Sequence, residues 1–212
     1  MKISEKENAR IIELFQQIRT RQEQEQEHTN FKDAPALCEM AGLIRPYIVK
    51  MDEADADTLV DLVAVCRFLG ERYQEMLRGS YAAEFFTAAF LAAAKTGNGD
   101  EDLLRSAVKT RNWYVDDACE DLKQAAFKVT DAVKAETIIA ESCKRTLKRD
   151  PVEMTPEYLA VIDEVEQKVE ENMTTYGRGS CHERWSLTRE YLVEKGIQWR
   201  SQGVMNPGFR FD

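Results

Sequence analysis

Cys181 and His182 stand side by side in a glycine-rich connection, YGRGSCHE (176–183), with Arg178 just ahead of them. A thiol at the start of a helix ionises more readily, and the free N–H groups there bind anions. Arg178, Ser180, Cys181 and His182 are therefore the candidates for nucleophilic or anion-binding chemistry. Adjacent residues at a helix start point to different sides, however, and no third group stands in sequence to orient the histidine. Ser180 and Glu183 also satisfy S-x-x-E, so a capping box accounts for the same stretch as helix punctuation. The spacing favours that second reading.

The other histidine closes Glu25-Gln26-Glu27-His28, a single E-x-x-H. A carboxylate-bridged di-metal bundle needs two such pairs and two further inward glutamates. His182 has Gly179, not a glutamate, at the matching position, and RQEQEQEH (21–28) is polar on every face. A solvated helical extension is expected there. The clusters Asp52-Glu53-Asp55-Asp57, Asp116-Asp117-Glu120-Asp121 and Glu164-Glu166-Glu170-Glu171 lack the loop spacing and central glycine of a calcium-binding EF-hand. Each falls at a helix start or on a solvent face. No metal, no cofactor and no catalytic residue is expected.

Composition narrows the partners. A net charge of −9 repels phosphate backbones, so neither nucleic acid nor anionic membrane is expected as a partner. The start, MKISEKENARIIELF, has no apolar stretch of signal-peptide type, and no window approaches the roughly 18 apolar residues of a spanning helix. Cys38, Cys66, Cys119, Cys143 and Cys181 form no CxxC, and Cys66, Cys119 and Cys143 fall on apolar helical faces. Free thiols in a reducing compartment fit this usage, and the expected location is the cytoplasm.

The elements that would position these residues are helices, since no stretch alternates with a strand's period. Ser4 and Glu7 form a capping box ahead of a helix over about 5–21, and a second helix runs from about Phe31 to Met51 with Pro46 as a kink or break. MDEADAD (51–57) is an acidic helix start. Leu59, Leu62, Val63, Cys66, Leu69, Gly70, Tyr73, Met76 and Leu77 then recur at helical steps, until Gly79-Ser80 breaks the helix. An alanine-rich helix (81–95) carries Phe85, Phe86 and Phe90, and TGNGD (96–100) ends it. Helices over 101–113, 115–129, 131–148, 156–173 and 183–195 follow, with Thr155-Pro156 as cap and first turn and Gly196 as a stop. The expectation is an all-α fold of stacked antiparallel hairpins, about nine helices.

Residues 63–96 resemble one tetratricopeptide unit. Leu69-Gly70-x-x-Tyr73 matches that family's L-G-x-x-Y, and Ala82, Phe86 and Ala89 fall at its small, aromatic and small second-helix positions. Cys66 replaces the motif's tryptophan and Ala94 its proline, and 97–130 holds no second copy. The resemblance implies a TPR-like superhelix whose groove binds a peptide or protein segment, with Arg67, Glu71 and Gln74 lining it. Glu71 stands where the family's carboxylate clamp has asparagine, so capture of an acidic tail is not implied.

Charge is unevenly spread. Residues 151–173 hold seven acids against Lys168, whereas 177–212 hold six bases and four acids, so the basic end is expected to fold beside the acidic helix. The segment 199–212, with Trp199, Met205, Phe209 and Phe211, is too apolar for a disordered end. It is expected to be an irregular tail packed on a single helical domain (1–198) or on a neighbouring copy. The expected function is a non-catalytic scaffold for a protein or peptide. The alternatives are an all-α enzyme or small-ligand sensor at Arg178, Cys181 and His182, and a structural homo-oligomer joined by the tail.

Overall fold

The computed structural model describes residues 1–24, 30–144 and 146–211. It is all-α, with no strand among the described residues. The helices are α1 (Glu5–Gln24), α2 (Ala34–Val49), α3 (Ala56–Glu75), α4 (Gly79–Lys95), α5 (Glu101–Arg111), α6 (Glu120–Val129), α7 (Ala132–Lys144), α8 (Pro156–Asn172), α9 (Ser180–Glu194) and the single turn α10 (Gln202–Met205). Short 3-10 turns lie at Asn30–Asp33, Met51–Glu53 and Pro151–Met154. The E-x-x-H at Glu25–His28 lies outside the described residues.

Local chemistry sets many of the boundaries. The Glu7 amide donates to Ser4 Oγ (3.2 Å) and the Ser4 amide to Glu7 Oε2 (3.3 Å), a complete capping box. Asp55, Asp100 and Thr155 accept from the amides of Thr58, Leu103 and Tyr158. At the end of α9, Ile197 N–H donates to Leu192 O and Gly196 N–H to Val193 O, with Gly196 left-handed at φ 79°. That is a Schellman stop, and Leu192 and Ile197 are both buried in one apolar cluster behind it.

Several boundaries differ from the sequence expectation. The α3–α4 break falls at Met76–Arg78, where Leu77 takes the left-handed position (φ 59°), and Gly79 opens α4 instead of ending α3. A Cβ on Gly79 would come within 2.5 Å of Tyr114 Oη and 2.6 Å of the Trp113 ring. The glycine therefore serves a close approach, not the turn. α6 begins at Glu120 rather than 115, because Asn112 and Asp117 exchange hydrogen bonds (3.2 and 3.3 Å) and Asp117 accepts from the Cys119 amide (2.8 Å). These local bonds compete with helical ones and leave Cys119 at φ 52° ahead of the helix. α2, in turn, continues through Pro46 to Val49.

α4 is the centre of the larger core. α3, α5, α6 and the 151–154 turn all lie against it. Ala82, Ala89, Ala92 and Ala93 bring its backbone close to these neighbours, while Phe85 and Phe90 are among the largest fully buried side chains. Against α3, a Cβ on Gly70 would sit 2.8 Å from the Phe86 ring, and Tyr73 stacks on Phe85 at 5.7 Å. Gly70 and Phe86, two of the residues behind the tetratricopeptide resemblance, thus meet at a tight crossing. α5 packs mainly on α4 and α7, so the contacts radiate from α4.

A second, smaller cluster joins Tyr158, Ile162, Val165 and Val169 of α8 to Leu192, Ile197 and Trp199. The seam between the two clusters is polar. Arg78, 3% exposed, donates to Met76 O (3.0 Å), Asp163 and Glu166. Glu153, 2% exposed, accepts from Trp199 Nε1 (2.8 Å), Tyr114 Oη (3.2 Å) and Arg149 Nη1 (3.5 Å). The chain after α9 is tied down by Arg200 on Asp150 and by Asn206, which bonds both the N–H and the C=O of Lys148. Arg184 of α9 and Lys195 just after it pair with Glu170 and Glu164 of the acidic helix.

Candidate functional site

The glycine-rich connection does not form a capping box. Gly177 and Gly179 are both left-handed, and the Ser180 amide donates to Gly177 O at 3.2 Å, so it is already satisfied. Glu183 turns away to Thr174 Oγ1 (2.7 Å) and to the amides of Thr174 (3.0 Å) and Thr175 (2.7 Å). Those bonds, the Thr174 hydroxyl's first, hold its carboxyl down to about 2. Gly179 caps α9 with no side-chain bond.

Cys181 and His182 converge on the chain's own tail. His182 Nε2 lies 3.2 Å from Phe211 O and Cys181 Sγ 4.0 Å from the same oxygen. Trp185 sits edge-on to both the His182 ring (5.4 Å) and the Phe211 ring (5.1 Å). Among the described residues the shallow hollow here is lined by His182, Trp185, Val204 and Phe209 but by neither Cys181 nor a carboxylate. Arg178 and Ser180 also lie outside its lining.

The α3 residues are likewise divided. Arg67 pairs with Asp100, and it shares a hollow with Glu71, Ala93 and Asn98. Gln74 belongs to a different hollow, beside Arg105 and Lys109. Although 67, 71 and 74 fall on one helical face, the hollow that holds Arg67 and Glu71 is not the one that holds Gln74. The acidic clusters serve as caps and ion pairs: Asp55 caps α3, Asp52 meets Lys95, and Asp117 and Asp121 both hold Arg111. Among the described residues no three of His, Cys, Asp and Glu gather as they would around a metal ion. Cys66 and Cys119 are buried, and burial pushes the Cys119 thiol up to about 12.

The most peptide-like concavity lies elsewhere, between α2, α4 and α6. It encloses about 440 Å³. Its floor is Ala88, Leu91 and Ala94 of α4 with Ala125 of α6, and Ile48 and Val49 of α2 form one wall. Val49 is 83% exposed at the lip. The Oγ1 of Thr87 is buried on the floor without a hydrogen-bond partner among the described residues. Charges of both signs rim the trough, with Asp52, Glu84 and Asp121 facing Lys95 and Lys128. Glu84 is held rigidly by a bidentate Arg45 (2.8 and 2.9 Å), itself stacked over Tyr81 and Phe85.

Sequence periodicity did not reveal this trough because its three walls are not consecutive. The available signal was the small-residue stripe Ala88-x-x-Leu91-x-x-Ala94, which leaves space wherever no large neighbour fills it. No protein-family model, curated protein or solved structure matches the chain.

Proposed function

We propose that the protein is a non-catalytic helical scaffold whose trough between α2, α4 and α6 receives a helical segment of a partner protein. The carrying observation is the apolar floor of Ala88, Leu91, Ala94 and Ala125 beneath an exposed Val49. A helix laid in such a trough buries aliphatic side chains on small residues, and the mixed-charge rim sets its register. The tetratricopeptide resemblance at α3–α4 supports the same class of function, and a cytoplasmic setting fits the five free cysteines.

A photo-crosslinking residue at Val49, compared with one at Val193 on the exposed side of α9, tests this. Adducts to a recurrent protein segment at 49 and none at 193 are expected. Equal labelling at both positions, or none at 49, contradicts the assignment.

Self-association is the second reading, favoured by Val204 and Phe209, which are 58% and 63% exposed beside the α9 start. Light scattering on the chain lacking 207–212 separates the two: a fall in mass supports self-association.

A further inference from the structure

A cleft of about 220 Å³ opens along the polar seam, where the larger core meets α8, α9 and the segment after them. Tyr158, Trp185 and Trp199 supply aromatic wall, and the space matches a molecule of amino-acid size more closely than a peptide. Clefts between two packed units with a few convergent polar groups are the common setting of small-ligand sites.

Arg149 lines this cleft with a side chain 7% exposed. Its guanidinium lies over the Trp113 ring at 4.3 Å, which covers one face and leaves the N–H edge to find acceptors. That edge is poorly served. Its ion pair to Glu153 is long at 3.5 Å, and Nε has no hydrogen-bond partner among the described residues. A buried guanidinium donor without an acceptor is costly, and this Nε is the only atom of a charged group among the described buried side-chain atoms left without one.

The same walls disfavour a plain anion. Glu75, Glu153, Glu166 and Glu170 outnumber Arg149 and Arg184 in the lining, and the pairs of Arg78 with Glu166 and of Arg184 with Glu170 each engage one carboxylate oxygen, Oε1. A ligand suited to both must offer an acceptor to Arg149 and a positive charge to the carboxylates. Burial pushes the carboxyls of Glu153 and Glu166 above their usual range, so an ammonium placed beside them would also favour their ionised form.

We infer that this cleft binds a small zwitterion of the α-amino acid class. The carboxylate meets the Arg149 edge, the ammonium lies towards Glu166 and Glu170, and the side chain packs against Trp185 and Trp199. The site is separate from the trough between α2, α4 and α6, and neither assignment depends on the other.

The test is calorimetric titration of the 212-residue chain with each proteinogenic L-amino acid. At least one should bind saturably. Its decarboxylated amine and its N-acetyl derivative should each bind about tenfold more weakly or worse, the loss expected when one charge-assisted hydrogen bond is removed. These analogues need no altered protein, so the result does not depend on whether a variant folds. Arg149→Lys, which keeps the charge but loses the planar edge, should weaken the amino acid and leave the amine unchanged. Absence of saturable binding by every amino acid overturns the inference. Equal binding of the amine or of the N-acetyl acid overturns it as well.

Discussion

Between α3 and α4, Gly70 lies against Phe86, Tyr73 stacks on Phe85, and no ion pair joins the two helices among the described residues. Between α8 and α9, Arg184 pairs with Glu170, Lys195 with Glu164 and Lys168 with Glu194, around a much shorter line of buried aliphatic side chains. Both are consecutive helix pairs, yet they are held by different chemistry. Apolar contact is indifferent to pH and scarcely weakened by salt, whereas partly exposed ion pairs are screened. The α3–α4 crossing is therefore apolar and the C-terminal pair charge-held, and the buried network at Arg78, Arg149 and Glu153 lies between them.

The largest effect should come from the bundle. Phe90→Ala, at a side chain 1% exposed, should cost about 4 kcal/mol in a urea titration at any salt concentration. Glu153→Ala removes the acceptor of Trp199, Tyr114 and Arg149 and should cost about 3 kcal/mol, because it leaves a buried guanidinium unpaired. Its loss should appear first in tryptophan fluorescence; a simultaneous loss of all helical signal would erase the distinction between the regions. Gly70→Ala sets a helix-propensity gain of about 1 kcal/mol against overpacking of about 1–3 kcal/mol onto Phe86. Net destabilisation is expected, and a more stable variant would show that the crossing is looser than 2.8 Å implies.

The smallest effect is titrimetric. Glu183 is depressed from 4.5 to about 2 in the folded chain, so its contribution is present above about 4.5 and lost as pH falls towards about 2. The Thr174 and Thr175 amides should shift with that low midpoint in an NMR titration. A midpoint near 4.5 would place Glu183 in solvent.

Much of the helical order was legible because its determinants are local. The Ser4–Glu7 box, the Thr155-Pro156 start and the apolar steps of α3 and α4 each lie within a turn or two of the residues they control. What escaped depends on distant partners. Gly79 reads as a helix stop until Trp113 and Tyr114 are placed beside it. Val115 and Ala118 fit the apolar series of α6, but the bonds between Asn112 and Asp117 hold that stretch out of the helix. Ser180 and Glu183 have capping-box spacing, and Thr174 and Thr175 take the carboxylate instead. The stripe Ala88-x-x-Leu91-x-x-Ala94 is the trough's one local trace, and the cleft has none, because each is walled by elements far apart in the chain.

The central claim is that the C-terminal pair and its seam are held separately from the bundle. Of the chain's three tryptophans, Trp185 and Trp199 belong to the smaller cluster and Trp113 lies between Arg149 and the start of α4, so their fluorescence reports mainly that cluster and its seam. Far-UV circular dichroism reports mainly the larger bundle. Equilibrium urea unfolding followed by both signals, at low and at high salt, is the direct measurement. The fluorescence midpoint should fall below the dichroism midpoint, and the gap should widen as salt screens the α8–α9 pairs. Coincident transitions at both salt concentrations would contradict the account.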